Sequence, residues 1–180
     1  GYVPAPHSIH CGITKVVPGT VELHRNGEMT TVPYWELPEL GRGRVGPVEL
    51  DELDELLGSS IALRMAADVP VGAFLSGGID SSLVTALMVA HGGPARTVSI
   101  GFREAAGAES PPPPRAARHL GTEHHEMRVT AADALAVVPT LPTMFDEPFA
   151  DHSAIPTALV ASLTKRQVTV ALSGDGGDEL

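Results

Sequence analysis

The chain has 180 residues, 43% of them hydrophobic but only 4% aromatic, and carries a formal net charge of -10. That length suits one domain or part of a larger one, with a core of Ala, Val and Leu rather than rings, as α/β sheets allow. The acidic balance with scattered Lys and Arg argues against a nucleic-acid partner. No apolar run reaches membrane-spanning length, and the one cysteine, Cys11, permits no internal disulfide. A reducing cytoplasm fits these features, and an opening of Gly1-Tyr2-Val3-Pro4 resembles neither a native start nor a signal peptide, so an internal piece of a longer protein is expected.

Alternating stretches at 20–24 and 29–35 predict a hairpin around Asn26-Gly27, in a segment too short for its own core. A polar, glycine-rich link at 40–46 then predicts a boundary, with domains at 1–45 and 46–180. Pro47 opens a helix on which Leu50, Leu53, Leu56, Leu57 and Ile61 trace one apolar face. A buried strand is expected at 71–75, followed by a glycine turn and a helix starting near Ser81, with Leu83, Val84, Leu87 and Met88 at helical spacing. Next come a strand at 96–102, a proline run at 111–114, a helix beginning near Pro114 and ending at 120, a strand at 124–129 and a helix at 131–138. A long loop precedes a helix at 155–164, and an apolar strand at 168–172 runs into SGDGGDEL (173–180). This alternation implies an α/β fold with a parallel sheet and right-handed crossovers.

The chemistry is concentrated where FLSGGIDSS (74–82) passes from strand to helix through glycines. The first N–H groups of a helix have no intrahelical partner and lie at the positive end of its dipole, so phosphate or pyrophosphate is stabilised there by both effects. Gly77 and Gly78 admit close approach, Ser76, Ser81 and Ser82 add hydroxyls, and Asp80 adds a carboxylate suited to Mg²⁺ between phosphate oxygens. No lysine follows the glycines, and the pattern is not GxGxxG, which disfavours kinase, GTPase and dinucleotide loops. The loop after 172 again sets glycines and acids behind a buried strand. Parallel strands open their carboxyl ends on one crevice, so Asp175, Asp178 and Glu179 are expected to meet the same site if the two strands are neighbours.

Other polar clusters read more plainly. His119, His124 and His125 with Glu123 and Glu126 contain no HExxH and no helical i, i+4 pair, and on a strand His124 and His125 point to opposite faces, so a structural role is expected. Asp146, Glu147 and Asp151, in the long loop, are further site candidates.

The run 76–81 resembles the SGGxDS loop of N-type ATP pyrophosphatases, which split ATP into AMP and pyrophosphate while adenylating a carboxylate. Further blocks, in order along nearly the whole chain, are similar to glutamine-dependent asparagine synthetases: GYVPAP (1–6), ITKVVPG (13–19), Tyr34-Trp35, VPVGAFLSGGIDSS (69–82), SIGF (99–102), HLGTEHHE (119–126), DEPFAD (146–151) and LSGDGGDE (172–179). The resemblance implies the end of a glutaminase (type 2 amidotransferase) domain at 1–45. At 46–180 it implies the first part of a synthetase domain, with an incomplete parallel sheet of the adenine nucleotide alpha hydrolase-like type.

It also implies residue roles. Leu75 and Ile100 would touch adenosine through backbone groups, Ser76, Gly77, Gly78 and Ser81 would hold the phosphates, and Ser173 and Gly174 would line the nucleotide. Asp80 and Asp178 would hold Mg²⁺. Asp175 stands where many members carry Glu, at a position linked to forming and aminolysing the acyl-adenylate, one methylene shorter in reach. The implied substrates are ATP, aspartate and ammonia derived from glutamine, the products asparagine, AMP and pyrophosphate. The family's glutaminase nucleophile is an N-terminal cysteine, whereas Cys11 lies inside a proline-flanked segment, so no glutamine hydrolysis is expected from these residues alone; nor is asparagine synthesis, because the substrate side of the crevice is expected to need residues beyond Leu180. A homodimer is compatible with the full-length protein. Relatives that form lactams or other amides share these loops, so a different acceptor carboxylate stays open, as does an inactive nucleotide-binding fragment. The prolines at 111–114 depart from the family's usual pattern.

Overall fold

A computed structural model describes residues 1–37, 49–93, 95–102 and 113–177. In chain order the elements are β1 (Thr20–Arg25), β2 (Glu28–Pro33), α1 (Leu50–Met65), β3 (Val71–Phe74), α2 (Ile79–Gly92), β4 (Arg96–Phe102), α3 (Pro113–Leu120), β5 (Glu123–Val129), α4 (Ala131–Val137), a 3-10 turn (Val138–Thr140), α5 (Leu141–Phe145), α6 (Ala154–Thr164) and β6 (Val170–Leu172). They divide into two units, Gly1–Val48 with Thr140–His152, and Glu49–Pro139 with Ser153–Leu180.

In the first unit β1 and β2 pair antiparallel, Val21 opposite Val32. Asn26 (φ 53) and Gly27 (φ 83) both take the left-handed backbone that a tight two-residue hairpin turn requires. Lys15 forms an ion pair with Glu147, and the rings of Phe145 and Phe149 stack 4.5 Å apart.

The second unit is built on a four-stranded parallel sheet in the order β5-β4-β3-β6. From β3 the chain steps outward through α2 to β4 and through α3 to β5, then returns through α6 to lie on the other side of β3. Right-handed crossovers therefore put α2 and α3 on one face and α6 on the other. The direction of winding reverses between β3 and β6, the place where open α/β sheets bind ligands at their carboxyl ends. The core is made of small or flexible groups: Ile61, Ala73, Met88 and Ala95, with Val84, Leu87 and Leu172 packed against them. Thr85 is fully buried on α2 and donates its hydroxyl to the Ser81 carbonyl at 2.7 Å, so its polar group is satisfied.

Several elements differ from expectation in extent. α2 starts at Ile79, ahead of Ser81, because the extended Gly78 serves as its N-cap, and it stops at Gly93, whose left-handed backbone returns an N–H to the Val89 carbonyl. On α1 the apolar stripe is wider than the buried face: Ile61 is 7% exposed, but Leu50 and Leu56 are 75% and 65% exposed. Pro47, the 40–46 link and the proposed boundary within it lie outside the described residues. β6 is shorter than the apolar run because the Val168 N–H is still donated to Thr164 at the end of α6. α4 begins with a reciprocal capping box between Thr130 and Asp133. The expected long loop after it contains the 3-10 turn and α5, whose first turn accommodates a proline that needs no N–H partner. α3 begins at Pro113, while Pro111 and Pro112 lie outside the described residues.

Between β4 and β5, His124 bridges two buried hydroxyls, with Nδ1 2.9 Å from Thr97 Oγ1 and Nε2 3.1 Å from Ser99 Oγ. Burial holds its imidazole below the ordinary 6.5. The unfolded chain then takes up this proton more readily than the folded one. The stability His124 contributes is thus full above about pH 6.5 and is lost as pH falls through the lower folded value. Denaturant midpoints should drop as pH falls below about 6.5, and His124→Gln should flatten that drop. An equally steep profile in the variant would assign the acid sensitivity to other groups.

Candidate active site

The loop after β3 is tied down at its start and folded back on itself. Leu75 is fully buried and donates its N–H to the Val98 carbonyl at 3.0 Å, fixing the strand end to β4. Gly77 takes φ 88, which turns the chain toward α2. The hydroxyls of Ser76 and Ser81 lie 2.9 Å apart, Ser81 Oγ also accepts the Ser76 N–H at 3.2 Å, and Ser76 Oγ accepts the Gly78 N–H at 3.3 Å. This network sets the first turn of α2, with the N–H groups of Ile79, Asp80 and Ser81, at the rim of the crevice.

The loop after β6 comes up beside it. Ser173 Oγ accepts the Asp175 N–H at 3.4 Å, and Gly174 abuts α2 so closely that a Cβ there would stand 2.8 Å from the Ser81 nitrogen and 2.9 Å from Asp80 Cβ. Ser76, Gly78, Asp80 and Ser81 from the first loop, with Ser173, Gly174 and Asp175 from the second, line one cavity of about 220 Å³. Pockets for whole drug-sized ligands run from about 300 Å³ upward, so this one matches a phosphate chain better than an entire nucleotide. A second cleft of about 860 Å³ shares Asp80, Ser173, Gly174 and Asp175 and is walled by leucines of α1 and α2, including Leu53, Leu57, Leu83 and Leu87.

Seven of the sequence-expected site residues therefore converge. Leu75 lies beneath the loop, Gly77 forms its turn, and Ile100 sits on β4; these three do not line the smaller cavity. Asp178 and Glu179 lie outside the described residues. Among the described residues no group of three or more His, Cys, Asp or Glu side chains could enclose a metal ion. The donor set nonetheless fits Mg²⁺, which takes one or two protein carboxylates and completes its shell with phosphate oxygens and water; Asp80 stands beside N–H and hydroxyl groups suited to those phosphates.

Glu147, a site candidate in the sequence, is paired in the structure. Its carboxylate bonds Lys15 and accepts the Ile9 N–H, and the Lys15 hydrogen bond holds it below the usual carboxylate range. Asp146 caps α5 with a left-handed backbone. The close approach of the second loop's glycines to Asp80 has one signal in the sequence, the glycines on both sides of Asp175.

The family model described as asparagine synthase matches residues 52–180. The chain belongs to that family. It is 35% identical over its whole length to a Methanocaldococcus jannaschii protein assigned as glutamine-hydrolyzing asparagine synthetase 2, covering 36% of that relative. It is 33% identical over 99% of its length to glutamine-hydrolyzing asparagine synthetase 1 of Bacillus subtilis, covering 28% of it. The chain thus spans little more than a third, or less, of the curated relatives it matches. Among solved structures, the NH3-dependent NAD synthetase of Campylobacter jejuni superposes with a TM-score of 0.47 at 14% identity, over 70% of this chain and 56% of that one. No helix among the described residues is long and apolar enough to cross a membrane.

Proposed function

We propose that these residues form the nucleotide-activating part of a cytoplasmic, glutamine-dependent asparagine synthetase, with residues 1–45 belonging to the end of its glutaminase domain and 46–180 to the start of its synthetase domain. The observation that carries this reading is the meeting of the two glycine loops at Asp80, at the carboxyl ends of β3 and β6. ATP is the substrate whose phosphates the first loop takes. Gly77 and Gly78 let the chain come close, the first-turn N–H groups of α2 receive the negative charge, and Ser76 and Ser81 turn their hydroxyls from each other to the phosphate oxygens. Leu75 and Ile100 meet the adenosine, and Ser173 and Gly174 border it. A β-carboxylate oxygen of aspartate attacks the α-phosphorus, and the bond to pyrophosphate breaks. Ammonia then attacks the acyl carbon, losing a proton as AMP departs. Asp175 stands beside this centre as the carboxylate that orients or takes a proton from the incoming amine. Asp80 and Asp178 would hold Mg²⁺, which when bound offsets charge on the leaving pyrophosphate.

The test uses the full-length protein containing these residues. Exchange of labelled pyrophosphate into ATP should require aspartate and Mg²⁺, and glutamine or ammonium should then release asparagine. Exchange driven by another carboxylate, and not by aspartate, would reassign the acceptor. The 180 residues alone should give no sustained pyrophosphate release with ATP, aspartate and ammonium, since they span only a fraction of the relatives' length.

A further inference from the structure

The loop after β6 closes on Asp80 from two directions, and the two contacts differ in kind. Gly174 meets the backbone and the root of the side chain: a Cβ there would stand 2.8 Å from the Ser81 nitrogen, 2.9 Å from Asp80 Cβ and 3.0 Å from the Asp80 carbonyl carbon. Gly177 meets the carboxylate: a Cβ there would stand 2.9 Å from both Cγ and Oδ1 of Asp80. Real Cβ atoms essentially never approach so closely, so a side chain at either position would force its neighbour to shift. Backbone conformation does not account for them. Gly176, between them, has φ 85, but Gly174 and Gly177 are not among the glycines with positive φ. The Gly177 N–H is donated to the Gly174 carbonyl at 3.2 Å, so the turn that brings residue 177 to the carboxylate is closed by its own hydrogen bond.

We propose that Gly177 is a positioning residue for Asp80: its bare Cα lets the second loop press against the carboxylate and fix the direction in which the oxygens face a divalent cation. This rests on the reading of Asp80 as a Mg²⁺ ligand. The nearest atoms that a Cβ at 177 would strike are the far end of a side chain that can swing away, with the Gly174 carbonyl oxygen next at 3.1 Å, whereas those facing Gly174 are the Ser81 nitrogen, the Asp80 carbonyl carbon and Asp80 Cβ, which moves only with the backbone. Gly177→Ala should therefore keep the fold but misdirect the carboxylate, and Gly174→Ala should lower the melting temperature.

The experiment measures Mn²⁺ binding to the full-length protein, with a non-hydrolysable ATP analogue, by loss of the free-Mn²⁺ electron paramagnetic resonance signal. Gly177→Ala should bind Mn²⁺ on the order of tenfold more weakly, as groups that orient metal ligands do when altered. Its melting temperature should be unchanged, and the Mg²⁺ needed for half-maximal exchange should rise in parallel. Added to Asp80→Asn, the same change should cost nothing further. Unaltered Mn²⁺ affinity in a folded Gly177→Ala protein, or a full additional loss on top of Asp80→Asn, would overturn the positioning role while leaving Asp80 as ligand. If Asp80→Asn itself leaves Mn²⁺ binding unchanged, the ligand reading fails and this inference with it. Should Gly177→Ala not fold, Asp80→Ala/Gly177→Ala removes both atoms in collision: recovery of the fold supports the contact, and continued misfolding refutes it.

Discussion

Asp80→Asn in the full-length protein is expected to lower ATP–pyrophosphate exchange on the order of a hundredfold with the thermal melt unaltered. Asn keeps the shape of the side chain, so the packing of Gly174 and Gly177 around it survives. What is lost is the negative charge that makes the group a hard-cation ligand. Steady-state exchange as a function of Mg²⁺, beside a circular dichroism melt, separates the two effects. Unchanged exchange would remove Asp80 from the chemistry.

Leu75→Ala is expected to have the largest effect on stability. Its side chain is fully buried at the point where β3 gives way to the first glycine loop. Truncating such a leucine removes its transfer free energy and leaves a cavity, a cost of about 2–5 kcal/mol. The neighbours that would have to collapse into the space are held by the sheet, so little relaxation is available. Denaturant unfolding should show the midpoint shifted with the slope preserved. A cost below about 1 kcal/mol would mean that the site can close over the gap.

The parallel sheet and the first loop were legible because their signals are local: an apolar run, two glycines, a serine-bounded acid and leucines at helical spacing. The hairpin was legible from Asn26-Gly27 for the same reason. The extent of α1's buried face was not, since periodicity reports which residues share a face and not how much of it a neighbour covers; Leu50 and Leu56 fit the stripe yet remain exposed. α5 was missed because a five-residue helix with a proline in its first turn has too little pattern to separate it from a loop. The capping box of Thr130 and Asp133 has a local signature, a Thr followed three residues later by an acid. The pairing of Glu147 with Lys15 was not legible, because the two lie far apart in sequence. The fit of Gly177 against Asp80 belongs to the same class of information, as it depends on two strands becoming neighbours.

The strand order also dictates when the cavity can exist during folding. β3, β4 and β5 can assemble from consecutive stretches of chain, but β6 must bring Val170 back beside Val71, closing by far the longest loop in the sheet. Closure of that kind carries an entropic cost that is recovered only after the contact forms, which places it late. Among the described residues β6 is a three-residue strand paired with β3 alone, with Val170 41% exposed, so few contacts hold it locally. Anything that loosens β6 would carry Ser173 and Gly174 away from Asp80 while α2 and the first loop stay in place, so the phosphate cradle can persist in molecules that have already lost the other half of the site.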